Sequence, residues 1–149
     1  MSSTSIGKYV LSFGGHDPYT LTTSLVASNE TEIKFSKLAN IFAFYTPGAG
    51  GTGNSCNLTV EVNPFNAKED PTGLYWSQVG QFVNTTGAWK EEPAVFSSNS
   101  STTAAVQHNV VPLDLTNLAV CQIRVKAKET VGGGSPGKVK VVLTTNTIN

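Results

Sequence analysis

The chain is poor in charge. Asp, Glu, Lys and Arg make up only 13% of its 149 residues, and ten acids balance ten bases, where an average soluble domain is about 25% charged. That balance argues against a dedicated nucleic-acid binder, which carries a basic excess. Two cysteines are too few for a disulfide framework. Cys121 falls in an apolar register and Cys56 at the edge of a glycine-rich loop, so both are expected as reduced thiols that behave as small hydrophobes. No window approaches the roughly 20 apolar residues of a membrane-spanning helix, and no membrane partner is expected. The opening residues, Met1-Ser2-Ser3-Thr4-Ser5-Ile6-Gly7-Lys8, lack the charged and apolar segments of a secretory leader. With Met1 in first place, synthesis in a cytoplasm is expected. The N-x-S/T triplets at Asn29, Asn57, Asn84 and Asn99 then read as by-products of an Asn- and Thr-rich composition, not as glycosylation sites.

Groups that do chemistry are equally sparse. Of the two histidines, His16 lies in a Gly-His-Asp-Pro turn and His108 in an extended segment. Neither has a second His or Cys at ligand spacing, so no zinc site is expected. A Cys121–His108 dyad fails because a thiol on an apolar face is made inert by burial. The acids pair as Glu69-Asp70 and Glu91-Glu92, and neighbours on a strand point to opposite faces, which rules out a ready carboxylate dyad. Asn66 to Gly73 departs from EF-hand spacing and reads as a turn. No nucleophile, base and orienter stand together. The expectation is a non-enzyme without metal or cofactor.

One motif tempts otherwise. Gly48-Ala49-Gly50-Gly51-Thr52-Gly53 spells the G-x-G-x-x-G of a dinucleotide-binding turn, which functions only where a helix begins at its end. Here Leu58, Val60 and Val62 alternate with Thr59, Glu61 and Asn63 before Pro64, which is strand periodicity closed by a helix breaker. Strand, glycine loop, strand is the expected reading.

What is present is period-2 alternation almost throughout. Candidate strands cover Lys8–Phe13, Tyr19–Val26, Asn40–Tyr45, Asn57–Asn63, Leu74–Val83, Ala94–Ser97, Thr103–Val111, Ala119–Lys128 and Lys138–Thr145, separated by Gly-, Pro-, Asn- and Asp-rich turns. Short strands punctuated in this way predict an all-β single β-sandwich, jelly-roll-like or Greek-key, with little helix. Ser28 to Glu32 is ambiguous and could instead cap a short helix through Leu38. The length fits one domain over residues 1–149, without repeat or composition shift.

Two features point to partners. From Ala119 onward the chain has five bases and one acid, against five bases and nine acids before it. Cys121, Ile123, Val125 and Ala127 share one face of the first basic segment, and Arg124, Lys126 and Lys128 the other. Val139, Val141 and Leu143 likewise oppose Lys138 and Lys140. If the two strands pair directly, a register that buries the aliphatics places all five bases on one face. Their repulsion would be relieved by water, by Glu61 or Glu32 on a neighbouring strand, or by an acidic protein surface. Nucleic acid is disfavoured, since no Phe, Tyr or Trp after Ala119 offers a base a stacking platform. The second feature is aromatic: Tyr75, Trp76 and Trp89 are candidates for stacking a sugar or anchoring an interface. The alternative puts Trp76 in the core and Trp89 under a loop.

Asn57-Leu58-Thr59-Val60-Glu61-Val62-Asn63, the aromatic run Leu74 to Val79, and Ile123 to Thr130 followed by a glycine loop and Lys138 to Leu143 together resemble small all-β virion structural proteins of tailed bacteriophages, the head-decoration (cement) and tail-accessory proteins. The resemblance spans about half the chain. It implies a non-enzymatic virion component, made in the host cytoplasm, that binds the major capsid protein or other virion proteins as a homo-oligomer, often a trimer. It also implies that the basic segments or a flexible N-terminal arm, Met1–Ile6, contact the shell. A carbohydrate- or receptor-binding sandwich module, as at a phage tail, is the other reading.

Overall fold

The computed structural model describes the chain apart from residues 1–3, 34–35, 51–53, 80, 86–87, 93, 98–106, 117, 131–133 and 149. Some further strand residues, Trp89 and His108 among them, are described by backbone alone. The described residues form strands and no helix: β1 (Thr4–Leu11), β2 (Tyr19–Thr20), β3 (Val26–Ala27), β4 (Thr31–Glu32), β5 (Leu38–Thr46), β6 (Ser55–Asn63), β7 (Ser77–Val79), β8 (Gln81–Thr85), β9 (Ala88–Glu92), β10 (Ala94–Ser97), β11 (Gln107–Asp114), β12 (Gln122–Thr130) and β13 (Lys138–Ile148). The ambiguous 28–38 segment is strand at Thr31–Glu32 and again from Leu38.

Two antiparallel sheets face each other. The first runs β1-β13-β5-β11, with β2 extending the β1 edge along β13. The second runs β10-β6-β12-β3, with β4 also on β12 and β7 also on β6. This is the β-sandwich that the alternation predicts. Burial follows the two-residue period: in β5, Ala39, Ile41, Ala43 and Tyr45 are buried while Asn40, Phe42 and Phe44 are less so. Leu58, Val60 and Val62 of β6 and Ile123, Val125 and Ala127 of β12 meet Leu11, Ile41, Val139, Val141 and Leu143 across the gap. Of the expected flexible or docking arm, Met1–Ile6, residues 1–3 lie outside the described residues, and Thr4 to Ile6 are not flexible but pair with Ile148 to Asn146 in the first sheet.

The described part of the glycine motif, residues 48–50, follows β5, as a loop between strands requires, and Gly48 has a structural task there. The Ser135 amide donates to the Ala49 carbonyl at 2.9 Å. A Cβ on Gly48 would lie 2.0 Å from the Ser135 carbonyl oxygen, and one on Gly134 2.3 Å from the Gly50 carbonyl carbon. Two backbone loops pack directly, which only glycine permits.

Candidate functional site

The two basic strands do not pair. β12 lies in the second sheet beside β6, and β13 in the first sheet between β1 and β5. The expected hairpin face is therefore split: Arg124, Lys126 and Lys128 stand outside one sheet, Lys138 and Lys140 outside the other. The inward register of the aliphatics is as expected, but it holds against any apolar neighbour. β12 ends at Thr130 in one sheet and β13 begins at Lys138 in the other.

On β12 the charge is largely answered from within. Arg124 and Glu61 are cross-strand partners, and the guanidinium Nε donates to Glu61 Oε1 at 2.8 Å. The same oxygen lies 3.4 Å from Lys126 Nζ, and Glu30 is 3.8 Å from Arg124 Nη1. Lys140, on β13, donates to Asp17 at 2.8 Å. Among the described residues Lys128 and Lys138 enter no ion pair.

Beside this cluster, residues 63–76 form a loop organised by one carboxylate. Asp70, only 5% exposed, accepts from the amides of Leu74 at 2.9 Å and Tyr75 at 3.1 Å and from Asn63 Nδ2 at 2.7 Å. Burial opposes its ionisation, but these donors and the Gly73 amide outweigh it and hold the carboxyl below the usual carboxylate range. Asn66 Oδ1 accepts from the Lys68 and Glu69 amides, Glu69 returns an acceptor to the Asn66 amide, and Gln122 Nε2 ties the Phe65 carbonyl to β12. Leu74 and Tyr75, expected in a strand, therefore remain in the loop, and pairing starts at Ser77.

This loop sets out the aromatics. Tyr75 is 54% exposed and meets Phe65 edge-on with ring centroids 5.2 Å apart. Trp76 is half-buried on the outer side of the sheet, with the Arg124 guanidinium 4.2 Å above its ring centre, a cation–π contact. It is not a core residue. The side chain of Trp89, in β9, lies outside the described residues.

Sequence reasoning missed the outer face of the first sheet. Val10, Val142, Phe42 and Val110 are successive cross-strand partners on β1, β13, β5 and β11. They make an uncharged row about 15 Å wide at normal strand spacing. Val10 and Val110 are each 45% exposed at its ends. Leu38 and Ile6 are exposed on the same face two rows away. The signal was present in Ile41-Phe42-Ala43-Phe44-Tyr45 and Val141-Val142-Leu143, where apolar residues occupy both alternations, as in strands covered on both faces.

Between the sheets sits one buried acid. Glu129, 2% exposed, accepts from Tyr45 Oη at 2.5 Å and from the Gly137 amide at 3.0 Å, tying β12 to β5 across the core. Cys56 is its cross-strand partner; burial, then the Glu129 charge, push that thiol up to about 12. Tyr45 is raised above its ordinary value by burial and by its bond to Glu129. Cys121 is also raised, by burial first, and both cysteines are free thiols. These shifts make the thiols poor nucleophiles. No three metal-ligating side chains cluster among the described residues, and no helix there is long and apolar enough to cross a membrane.

No family model and no curated protein matches the chain. Solved structures do. A chain in the structure of infectious bursal disease virus, Gx strain, superposes with TM-score 0.53 at 10% identity, over 97% of this chain and 32% of that one. One in the VP2 subviral particle of infectious bursal disease virus gives 0.50 at 10% identity over 97% and 33%. The CBM22-2 xylan-binding domain of Paenibacillus barcinonensis Xyn10C gives 0.47 at 11% identity over 98% and 91%. The chain spans about a third of the length of the viral chains. Viral capsid domains and carbohydrate-binding modules are thus among its structural neighbours, and at these identities the likeness is one of fold alone.

Proposed function

We propose that this chain is a non-enzymatic virion structural protein, a decoration protein that docks on the assembled head of a tailed phage and stabilises it. The observation that carries the reading is the Val10–Val142–Phe42–Val110 row on the outer face of the first sheet. A sandwich has no need of apolar residues on an outer face, and here an uncharged row crosses four strands, its ends Val10 and Val110 each 45% exposed and Phe42 half-buried beside the covered Val142; apolar surface open on an outer face marks a contact surface. The occupant is the major capsid protein. The fold shared with a chain of a viral subviral particle supports the reading at the level of architecture. Because Glu61 already answers Arg124 and Lys126, the apolar row rather than the basic strand is the principal contact. Lys128 and Lys138 remain available for steering.

The test is co-sedimentation with particles from the native source through a sucrose cushion, at low and high salt. Wild type is expected to pellet at both. A Val10→Lys/Val110→Lys variant, changed at two already exposed positions, is expected to stay in the supernatant with its thermal unfolding unchanged. Arg124→Gln/Lys126→Gln/Lys128→Gln is expected to pellet. Wild type left in the supernatant at both salts overturns the assembly reading. Release by salt, together with loss in the triple variant, moves the contact to β12.

A further inference from the structure

The loop over residues 63–76 is not used by the docking row, which lies outside the opposite sheet. We propose that this loop, with the adjoining outer face of β6 and β12, binds a neutral oligosaccharide.

Three observations converge. The loop is preorganised: the buried Asp70 carboxylate fixes the Leu74 and Tyr75 amides, and Asn63, Asn66 and Gln122 secure its other half. Little ordering remains to be done when a ligand arrives, which favours affinity at a small site. What the loop presents is aromatic and open. Phe65 at 38% and Tyr75 at 54% exposure stand edge to face, so that one ring braces the other. Trp76 follows directly, steadied by Arg124.

The polar groups beside these rings are fixed as well. Arg124 is held by Glu61 and by the Trp76 ring, and Lys126 shares the Glu61 oxygen. A guanidinium has five N–H donors, and among the described residues Glu61 and Glu30 engage only part of that set. The charges beside Trp76 balance, Arg124 and Lys126 against Glu61 and Glu30, so an anionic ligand gains no net attraction next to the rings; Lys128 stands further along β12.

Aromatic rings flanked by immobilised donors and acceptors match the two-sided chemistry of a pyranose. Its C–H face lies on a ring, and its hydroxyls take directional hydrogen bonds. A protein partner fits less well. The core of a protein interface is depleted of charge over about 800 Å² per side, whereas here the Arg124 guanidinium lies directly over the Trp76 ring and is ion-paired with Glu61, which also pairs with Lys126.

The experiment is isothermal titration of the full chain with a panel of neutral hexasaccharides: cellohexaose, mannohexaose, maltohexaose and chitohexaose. A heparin fragment serves as the anionic probe. Saturable binding of at least one neutral sugar is expected, weakened about tenfold by Tyr75→Ala and less by Phe65→Ala, as for loss of one stacking contact. Both positions are exposed, and unchanged thermal unfolding checks the fold. Silence with every neutral sugar at millimolar concentration overturns the proposal. So does binding of heparin alone, or sugar binding untouched by both variants. If Tyr75→Ala binds no sugar differently but no longer pellets with particles, the loop is a protein anchor and the sugar reading falls, while the assembly reading stands with its contact moved from the apolar row to this loop.

Discussion

β12 and β13 carry nearly the same message, a base at alternate positions with aliphatics between, and the structure makes opposite surfaces of them. In β12 the cations face β6, which sets Glu61 beside Arg124 and Lys126. The outer face there is polar, internally neutralised and flanked by rings. In β13 the same alternation runs Lys138, Lys140, Val142, between β1 and β5. Val10 and Phe42 stand on either side of Val142, and the face turns apolar. Alternation decides which residues go inward. What the outward residues do is decided by neighbours that arrive from elsewhere in the chain.

If that is right, the inward faces of the two strands are equivalent, and the largest effects lie there. Ile123→Ala in β12 and Leu143→Ala in β13, both fully buried, are each expected to cost about 2–5 kcal/mol. Urea unfolding reads this as a lowered midpoint at unchanged slope. A cost below about 1 kcal/mol at one site and not the other would break the equivalence and mark a core that belongs mainly to one sheet.

The link between the two inward faces is sharpened by pH. The folded pKa of Cys56 is pushed up from 9.0 to about 12. The fold therefore holds the thiol proton more tightly than the unfolded chain does. Its stabilisation is complete below about pH 9 and is lost as pH rises toward 12, at up to about 1.4 kcal/mol per unit. By pH 10 the loss is expected to be on the order of 1 kcal/mol. The raised values of Cys121 and Tyr45 act in the same direction, Tyr45 at still higher pH. Cys56→Ala should therefore flatten the decline of Tm between pH 8 and 10 without abolishing it. An unchanged slope would mean that burial, with the Glu129 charge beside it, does not hold the thiol proton.

The inward faces were legible because burial in a sandwich repeats every second residue: Cys121 to Ala127 and Val139 to Leu143 sit as their spacing dictates. The glycine motif was legible too, because its flanks alternate and no helix can follow. Strand partnership was not. The pairing of Arg124 with Glu61 joins positions 63 residues apart, and nothing local distinguishes it from the hairpin that chain proximity favours. Tyr75 and Trp76 were placed in a strand because their residue types prefer one. A single side chain five positions upstream, Asp70, takes the amide of Tyr75 and decides otherwise. Both alternations of β5 were apolar in plain sight. Their meaning needed β13 and β1 beside them, since one strand with two apolar faces does not say which neighbours extend the second.

The smallest expected effect separates the outward faces. Glu61 is 14% exposed and serves Arg124, 17% exposed, and Lys126, 30% exposed. Glu61→Gln leaves two partly buried cations on one face without their carboxylate and is expected to cost about 1–2 kcal/mol. Asp17 is 25% exposed and its partner Lys140 44%. Asp17→Asn is expected to cost about 0.5 kcal/mol or less, fading further in salt. A double-mutant cycle of Glu61→Gln with Arg124→Gln separates their coupling from desolvation. It should return a coupling that survives at a salt concentration where the Asp17–Lys140 coupling has gone. If the two pairs respond to salt alike, β12 is as openly solvated as β13, its charge is not held internally, and the basic strand regains the docking role assigned here to the apolar row.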